Sequence, residues 1–199
     1  MSSTPESSDP YLYPGTTVLK NLRGLTDQRE LDAFEARSTH RRLAELIEAP
    51  LSGKFNTAHL KAIHRYIFQD VFDWAGLFRT VDISKGGQLF GRAEFLESAL
   101  EQVFRKLEAA NYLAGLGIDT FAEQAAYYFG ELNAAHPFRE GNGRTQREFI
   151  RELGLQAGHY IDWRETTPEE MVEASRLSHV TGDASLFAKV IRKCIGHRR

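Results

Sequence analysis

Apolar residues recur at helical spacing along most of the chain. Spacings of three and four residues place such side chains on one face of a helix, where they can be buried together. The pattern predicts helices over Asp27 to Ile47, from Asn56 or Thr57, from about Ala93 to Asn111, from near Asp119 through Leu132, from about Arg144 to just before Gly158, after Thr167, and over a last short segment from Leu186 to Ile191. Because these helices account for most of the chain, the predicted fold class is all-α. The sequence shows no internal repeat and no linker that would split the chain.

The start of the helix after Thr167 carries the strongest local signal. Thr167-Pro168-Glu169-Glu170 combines an N-cap threonine, a proline at the first helical position and a glutamate at the third. In such a capping box the threonine and glutamate side chains each accept a hydrogen bond from a backbone N–H that would otherwise be unsatisfied. The sequence therefore predicts a helix that begins at Pro168.

The stretch RTVDISKGGQLFG, Arg79 to Gly91, departs from the helical pattern. Apolar positions alternate on either side of Gly86-Gly87, which is typical of a small β-hairpin. A hairpin is only marginally stable by itself. We expect it to cover a groove or to offer a strand edge to an extended partner segment, and the alternative is a simple connector between two helices.

Composition and charge narrow the class of protein. At 199 residues and 42% hydrophobic, the chain is expected to form one domain over residues 16–199, preceded by a flexible Ser- and Pro-rich arm over residues 1–15. A net charge of −2 gives no indication of a nucleic-acid or membrane partner. The start lacks the features of a signal peptide, and the single cysteine, Cys194, suits a reducing compartment. The expectation is a cytoplasmic protein.

The candidate chemistry is concentrated in HPFREGNGRTQRE, His136 to Glu148. Pro137 cannot continue the preceding helix, so His136 is expected at its C-terminal end. Gly141 and Gly143 permit backbone conformations that are closed to other residues and let a ligand approach the main chain. A new helix then begins near Gly143, so its free N–H groups and positive dipole end predict an anion site.

Two arginines strengthen this prediction. Arg144 and Arg147 are spaced i, i+3 in the first turn of the new helix, where cations oppose the helix dipole unless an anion is bound. Glu140 is a hard oxygen ligand beside the anion site, which suits Mg²⁺ held together with substrate phosphates. His136 has a near-neutral ordinary pKa and suits a general base. The P-loop pattern is absent, so the residues indicate a different kind of nucleoside-triphosphate site.

Other conspicuous residues receive structural interpretations. His59 and His64 are five positions apart and do not share a helix face, so surface or capping roles are predicted instead of a metal pair. Arg151 is predicted to be a structural ion-pair partner, Trp163 a core anchor and Cys194 core filler.

These residues also carry a family resemblance. His136 to Arg147 matches the Fic motif HxFx[D/E]GNGRxxR at every defined position, and FDWAGLFRTVDI, Phe72 to Ile83, is similar to the family's approach to its hairpin flap. The resemblance covers roughly Asp9 to Ile195. It implies a Fic-type helical domain with a small β-hairpin flap over the active site.

The resemblance further implies transfer of AMP from ATP, with Mg²⁺, to a Ser, Thr or Tyr hydroxyl of a target protein. In that case His136 deprotonates the hydroxyl and Glu140 holds the metal. The other implied roles are a phosphate cradle from Gly141, Asn142 and Gly143, with Asn142 stabilising charge on the α-phosphate, and binding of the leaving pyrophosphate by Arg144 and Arg147.

The flap has an implied role as well. Val81, Asp82, Ile83 and Ser84 would pair with a segment of the target, and Lys85 and Gly86 would lie near the nucleotide. Family members that act as kinases carry lysine where Gly143 stands, so the resemblance favours AMP transfer. The alternatives are a catalytically silent Fic-fold binding module and a Fic enzyme that uses another nucleotide donor.

One family feature is missing from the sequence. Many Fic proteins carry an inhibitory helix with the pattern [Ser/Thr]-x₃-Glu-[Gly/Asn], and the nearest segments here, ending at Glu6, Glu30 and Glu170, lack the final Gly or Asn. The resemblance therefore implies a bacterial toxin restrained by a separate small antitoxin that supplies the inhibitory glutamate helix. It also suggests a type II topoisomerase target, such as DNA gyrase or topoisomerase IV. Inhibition from within the chain is the alternative.

Overall fold

The computed structural model describes residues 9–196 of the chain. Within that range the α-helices are α1 (Gln28–Glu48), α2 (Thr57–Phe68), α3 (Leu96–Ala109), α4 (Ile118–Ala135), α5 (Asn142–Ala157), α6 (Pro168–Thr181) and α7 (Ser185–Cys194). Single 3₁₀ turns lie at Ala93–Phe95, Asn111–Leu113 and Trp163–Glu165. The predicted all-α class is confirmed. None of the helices within residues 9–196 combines the length and apolarity needed to cross a lipid bilayer.

The helix starts follow from the side chains that cap them. Asp27 accepts a hydrogen bond from the Glu30 N–H before α1, and Asn56 accepts one from the His59 N–H before α2. At α6 both bonds of the predicted capping box are present, between Thr167 and Glu170. Local side-chain chemistry therefore sets where these helices begin.

Helix α4 lies at the centre of the core, in contact with α3, α5, α6 and α7. Phe129 of α4 stacks on Phe187 of α7 with ring centroids 4.1 Å apart, and neither side chain is exposed by more than 1%. Cys194 at the end of α7 is fully buried, as predicted. The packing holds both ends of α4 in place, including the C-terminal end that precedes His136.

The predicted hairpin is confirmed but is short. Strands β1 (Ser84–Lys85) and β2 (Gln88–Leu89) pair antiparallel through Gly86 and Gly87, which both have positive φ as a tight two-residue turn requires. A second two-stranded sheet, β3 (Tyr160–Ile161) with β4 (Ile195–Gly196), was not predicted. Strands of two residues have no measurable alternation, and β3 and β4 are distant in sequence.

The predicted flexible arm does not hold for residues 9–15. Asp9 forms an ion pair with Arg139, 2.8 Å between Oδ2 and Nη2. The ring of Tyr11 packs edge-on against Trp74, and Leu12 forms a β-bridge with Leu19. These partners are distant in sequence or lie in other elements, so composition alone could not reveal them. Residues 1–8, which include Glu6, and residues 197–199 lie outside the described residues.

Truncating a core side chain of α7 should lower the free energy of unfolding. Phe187→Ala is expected to destabilise the protein by about 3–5 kcal/mol, because the large buried ring leaves a cavity against Phe129. Urea unfolding followed by circular dichroism measures the change. Leu77→Ala is the control: its side chain is 60% exposed, and we expect a change within about 0.5 kcal/mol. A similar loss in both variants would contradict the assignment of Phe187 to the core.

Candidate active site

His136 ends helix α4 in a left-handed conformation, with φ 44° and ψ 59°. Its N–H donates to the Leu132 carbonyl, and Pro137 then directs the chain away from the helix axis. The ring Nδ1 lies 3.2 Å from the Asn133 carbonyl oxygen. Because a carbonyl can only accept, Nδ1 carries the ring proton, and Nε2 has the lone pair that a general base needs.

The surroundings of His136 keep its ring neutral. Phe90, at the end of the flap, stacks on the imidazole with ring centroids 3.9 Å apart. Burial lowers the pKa of His136 to about 4, and the nearby positive charges of Lys85 and Arg79 act in the same direction. The ring is therefore able to accept a proton throughout the neutral pH range.

The loop between α4 and α5 is closed by Asn142. Its side-chain oxygen accepts from the Phe138 N–H at 2.9 Å, and its Nδ2 donates to the Phe138 carbonyl at 2.7 Å. Asn142 is only 3% exposed. The amide of Asn142 therefore holds the loop with its oxygen and one N–H. The contact of this side chain with an α-phosphate stays a prediction.

His64 of α2 supports the same loop from below. Its ring stacks on Phe138 at 3.8 Å, its Nδ1 accepts from the Gly76 N–H at 2.8 Å, and its Nε2 lies 3.1 Å from the Glu140 carbonyl oxygen. Burial lowers the pKa of His64 to about 3, so the neutral ring donates through Nε2. The predicted surface or capping role is wrong for His64, which is fully buried, and no sequence signal identifies its partners.

The structure constrains the two glycines of the loop to different degrees. Gly141 has φ +79°, and a Cβ there would lie 2.0 Å from Cζ of Phe68. Gly143 has no such constraint: a Cβ there would meet only Nη1 of Arg147, at 3.6 Å. Gly141 thus lets the loop pack on the core, whereas Gly143 keeps the mouth of the site open to a ligand.

The N-terminal end of α5 has the geometry of an anion site. Gly141 is its N-cap residue and provides no side-chain cap. Within the part of the chain that the structure describes, no acceptor is found for the backbone N–H groups of Asn142, Gly143 and Arg144. Free N–H groups at the positive end of a helix dipole bind phosphate and similar anions. This geometry agrees with the cradle predicted at Gly141 to Gly143.

Arg147 lies one turn further along α5 and faces the same cavity. Burial lowers the pKa of its guanidinium, and the neighbouring Arg144 adds to the effect. No carboxylate within residues 9–196 forms an ion pair with it, and Trp163 bonds only to its backbone carbonyl. A partly buried cation without a counter-charge is unfavourable until an anion arrives.

The Arg144 side chain contacts residues of α1 and α2. Its guanidinium pairs with Glu35 of α1, donates to Thr39 at 3.2 Å and lies over the ring of Phe68. It does not line the cavity that Arg147 faces. The phosphate contact predicted for Arg144 stays a prediction, because in this structure its guanidinium is engaged by Glu35. That partner on α1 is invisible in the sequence spacing. Burial raises the pKa of the Glu35 carboxyl, and Arg144 opposes the shift.

Glu140 is suited to a shared metal. Its side chain is 45% exposed and lines the cavity, and its Oε1 accepts from the Gly141 N–H at 2.8 Å. Within residues 9–196 there is no cluster of three or more His, Cys, Asp or Glu side chains that could hold an ion by themselves. The residues present fit an ion that takes one carboxylate from the protein and its other ligands from phosphates and water, as Mg²⁺ does.

The cavity has a volume of about 920 Å³ and is bounded by the loop, the flap and α6. Ile83, Ser84, Lys85 and Gly86 of the flap line it. Val81 and Asp82 do not. Asp82 instead accepts from the Ala93 N–H at 2.7 Å and so fixes the flap to the 3₁₀ turn that precedes α3. The α6 wall, with Ser175, Arg176 and His179, was not predicted, since nothing in its sequence differs from an ordinary amphipathic helix.

Two further predictions are borne out beside the cavity. Arg151 is buried and forms a two-point ion pair with Glu148, one helical turn beyond the site. Trp163 is half-buried and anchors the backbone of α5 at Arg147. Both residues support the helix and neither lines the cavity.

Comparison with known proteins agrees with this geometry. Residues 54–153 match the Fic/DOC family. The chain is 44% identical over 187 residues to the protein adenylyltransferase VbhT of Bartonella schoenbuchensis, covering 94% of this chain but only 39% of that protein. It is 37% identical over 194 residues to a probable protein adenylyltransferase Fic of Salmonella typhimurium, covering 98% of this chain and 96% of the other.

A solved structure has the same fold. The BepC protein of Bartonella tribocorum, a VirB-translocated effector crystallised with AMPPNP, superposes with a TM-score of 0.89 at 30% identity, over 95% of this chain and 97% of that one. The family match covers the motif loop, the flap, helices α2 to α4 and most of α5. On the combined evidence of sequence, fold and site, this chain belongs to the Fic/DOC family.

Proposed function

We propose that this protein is a protein adenylyltransferase, which transfers AMP from ATP to a hydroxyl side chain of a target protein. The observation that carries the proposal is the uncompensated Arg147 guanidinium, which shares a cavity with the α5 N-terminus and the neutral His136 ring. Related proteins of similar length carry the same activity in their names. ATP as the donor is also supported by the AMPPNP bound to the related BepC protein.

The chemistry follows from the positions of these groups. Nε2 of His136 takes the proton of the target hydroxyl, whose oxygen forms a bond to the α-phosphorus. The bond from that phosphorus to the bridging oxygen breaks, and diphosphate leaves. Its negative charge is held by Arg147 and the α5 backbone N–H groups. Glu140 is the protein ligand we assign to Mg²⁺, which neutralises phosphate charge when bound.

Two alternatives share the same nucleotide site. A catalytically silent binding module would not need a general base. His136 nevertheless has a free lone pair on Nε2 and a lowered pKa, as a base requires. A different nucleotide donor would use the same phosphate contacts and differ only at the base. The complete set of His136, Glu140 and Arg147 favours the enzyme, and ATP in the cytoplasm is its proposed substrate.

The flap is proposed to hold the target segment. Its strands β1 and β2 are exposed, and each pairs only with the other within the described residues. An extended target segment could add to the open edge by main-chain hydrogen bonds, which bind a chain without demanding one sequence. Because Asp82 is used to fix the flap stem, the contacts available for docking lie nearer the tip, at Ile83 and Ser84.

The base is tested by His136→Asn. Asparagine tolerates the left-handed backbone of this position better than alanine does, so the loop should be preserved. We expect the rate of AMP transfer to fall by about 10²–10⁴-fold, the usual contribution of a general base, while the Kd for ATP changes little. Transfer is measured with labelled ATP and a bacterial lysate, and affinity by calorimetry.

A second measurement checks the protonation state of His136. The imidazole proton signals of the wild-type protein should titrate with a pKa near 4, and the ring should stay neutral above pH 5. His136→Asn identifies the signal by its loss. Full transfer activity in His136→Asn would remove this residue from the chemistry.

The orientation of the nucleotide is tested by comparing two arginines of α5. Arg147→Ala should weaken ATP binding by roughly 1.5–3 kcal/mol, the value of a charge-assisted contact, and ADP binding by less. Arg144→Ala should change the affinities for ATP and for ADP by similar amounts, since the Arg144 guanidinium is bound to Glu35. Equal losses of ATP and ADP affinity in Arg147→Ala would contradict a γ-phosphate contact.

Regulation by a separate partner is the finer part of the proposal. A partner that supplies a glutamate to Arg147 would compete with the γ-phosphate for the same cation. Of the glutamates in the loosely matching segments, Glu170 is bound to Lys193 and the Thr167 N–H, and Glu30 is exposed at the start of α1. This supports an external source, a small antitoxin, with a type II topoisomerase such as DNA gyrase as the proposed target.

Co-expression tests this regulation. Wild-type chain expressed alone should stop bacterial growth, His136→Asn should not, and a small helical partner carrying the glutamate should restore growth. Changing the partner's glutamate to glycine should abolish the rescue even though the complex forms. If the lone wild-type chain is harmless and labels a target only after Glu30 or Glu170 is replaced, the inhibitor is internal and the partner proposal is wrong.

A further inference from the structure

Arg79 is a buried cation that bonds to main-chain carbonyls. Its side chain has no solvent exposure, and its nearest carboxylate, Asp82, is 3.8 Å away. Nε donates to the His136 carbonyl at 2.9 Å and Nη1 to the Val81 carbonyl at 2.7 Å. Nη2 donates to the carbonyls of Ala135, at 3.1 Å, and Gly91.

The position of these carbonyls explains why a charge is tolerated here. Ala135 and His136 are at the C-terminal end of α4, where the helix dipole is negative and its last carbonyls lack partners inside the helix. A guanidinium presents several N–H groups in a fixed plane, so one side chain can satisfy several carbonyls that diverge in space. Burial lowers the pKa of Arg79.

The bonds of Arg79 join the flap to the base. Val81 and Gly91 are on the two arms of the flap, and His136 is the proposed base. Main-chain bonds run in parallel with the guanidinium: the Arg79 N–H donates to Pro137 and the Gly91 N–H to Ala134, both at 2.9 Å. Phe90, next to Gly91, is thereby held against the His136 ring.

We infer that Arg79 is a positioning residue for the transfer reaction, which sets the distance between the flap-bound target and His136. The inference rests on the proposed function. If the flap holds the target segment, its hydroxyl meets Nε2 only when flap and base are in register, and a shift of about 1 Å can cost about 10²-fold in rate. Arg79 does not line the nucleotide cavity. Its replacement should therefore impair transfer to the target without weakening ATP binding.

The test replaces Arg79 by lysine and by alanine, with Arg151→Lys as the matched control. Arg151 is also a buried arginine, but it pairs with Glu148 and touches neither the flap nor the loop. We expect Arg79→Lys to lower kcat/KM for the target about 10- to 100-fold while the Kd for ATP changes less than about twofold. Arg151→Lys should lower only the melting temperature.

Chemical rescue and amide exchange test the same role of Arg79. Millimolar guanidinium should partly restore transfer in Arg79→Ala and not in Arg151→Lys, because only the first variant leaves a guanidinium-sized space beside His136. In both Arg79 variants the His136 imidazole signal should shift, and the Gly91 amide should exchange faster with solvent. Normal kcat/KM in Arg79→Lys, or equal losses in Arg79→Lys and Arg151→Lys, would overturn the inference.

The outcome for the wild type separates this inference from the proposed function. If wild-type protein binds ATP but transfers nothing to any target, the proposed function fails. The imidazole and amide signals then still decide whether Arg79 holds flap and base together. An unchanged His136 signal in Arg79→Ala would overturn the positioning role whatever the activity.

Discussion

The active site depends on the hydrogen bonds between Asn142 and Phe138, which close the loop between α4 and α5. This loop places the C-terminal end of one helix and the N-terminal end of the next at a single cavity. The first end presents His136, and the second presents free N–H groups to an anion. A base and an anion site thus come from one reversal of the chain, and His64 and Phe68 support it from the core.

Three arginines at or beside the site are compensated in different ways. Arg144 has a carboxylate partner in Glu35, and Arg79 is satisfied by carbonyls at a helix end. Arg147 has neither within the described residues. Since a partly buried charge without a partner is unfavourable, an anion is expected to gain more from a contact with Arg147 than from one with Arg144 or Arg79. The same reasoning explains why a partner glutamate would be an effective competitor of ATP there.

Much of the fold and the motif could be predicted from the sequence. Helix starts were predictable where a cap is local, as at Thr167 and Asn56, and the hairpin where Gly86-Gly87 marks the turn. The family model and the superposition with the BepC protein agree with the resemblance carried by the His136 motif. These features depend on residues a few positions apart, for which spacing in sequence is a direct guide to spacing in space.

What the sequence by itself determined is therefore the helical pattern, the position of the motif loop before α5 and the family. The tertiary structure alone decided which way each side chain of the motif points. It directed Arg144 to Glu35, committed the Asn142 amide to the loop, buried His64 beneath it and packed residues 9–15 on the domain. The physical reason is that each of these contacts joins elements distant along the chain or a side chain to one specific backbone group. Periodicity reports which face of a helix is buried but not the partner it meets.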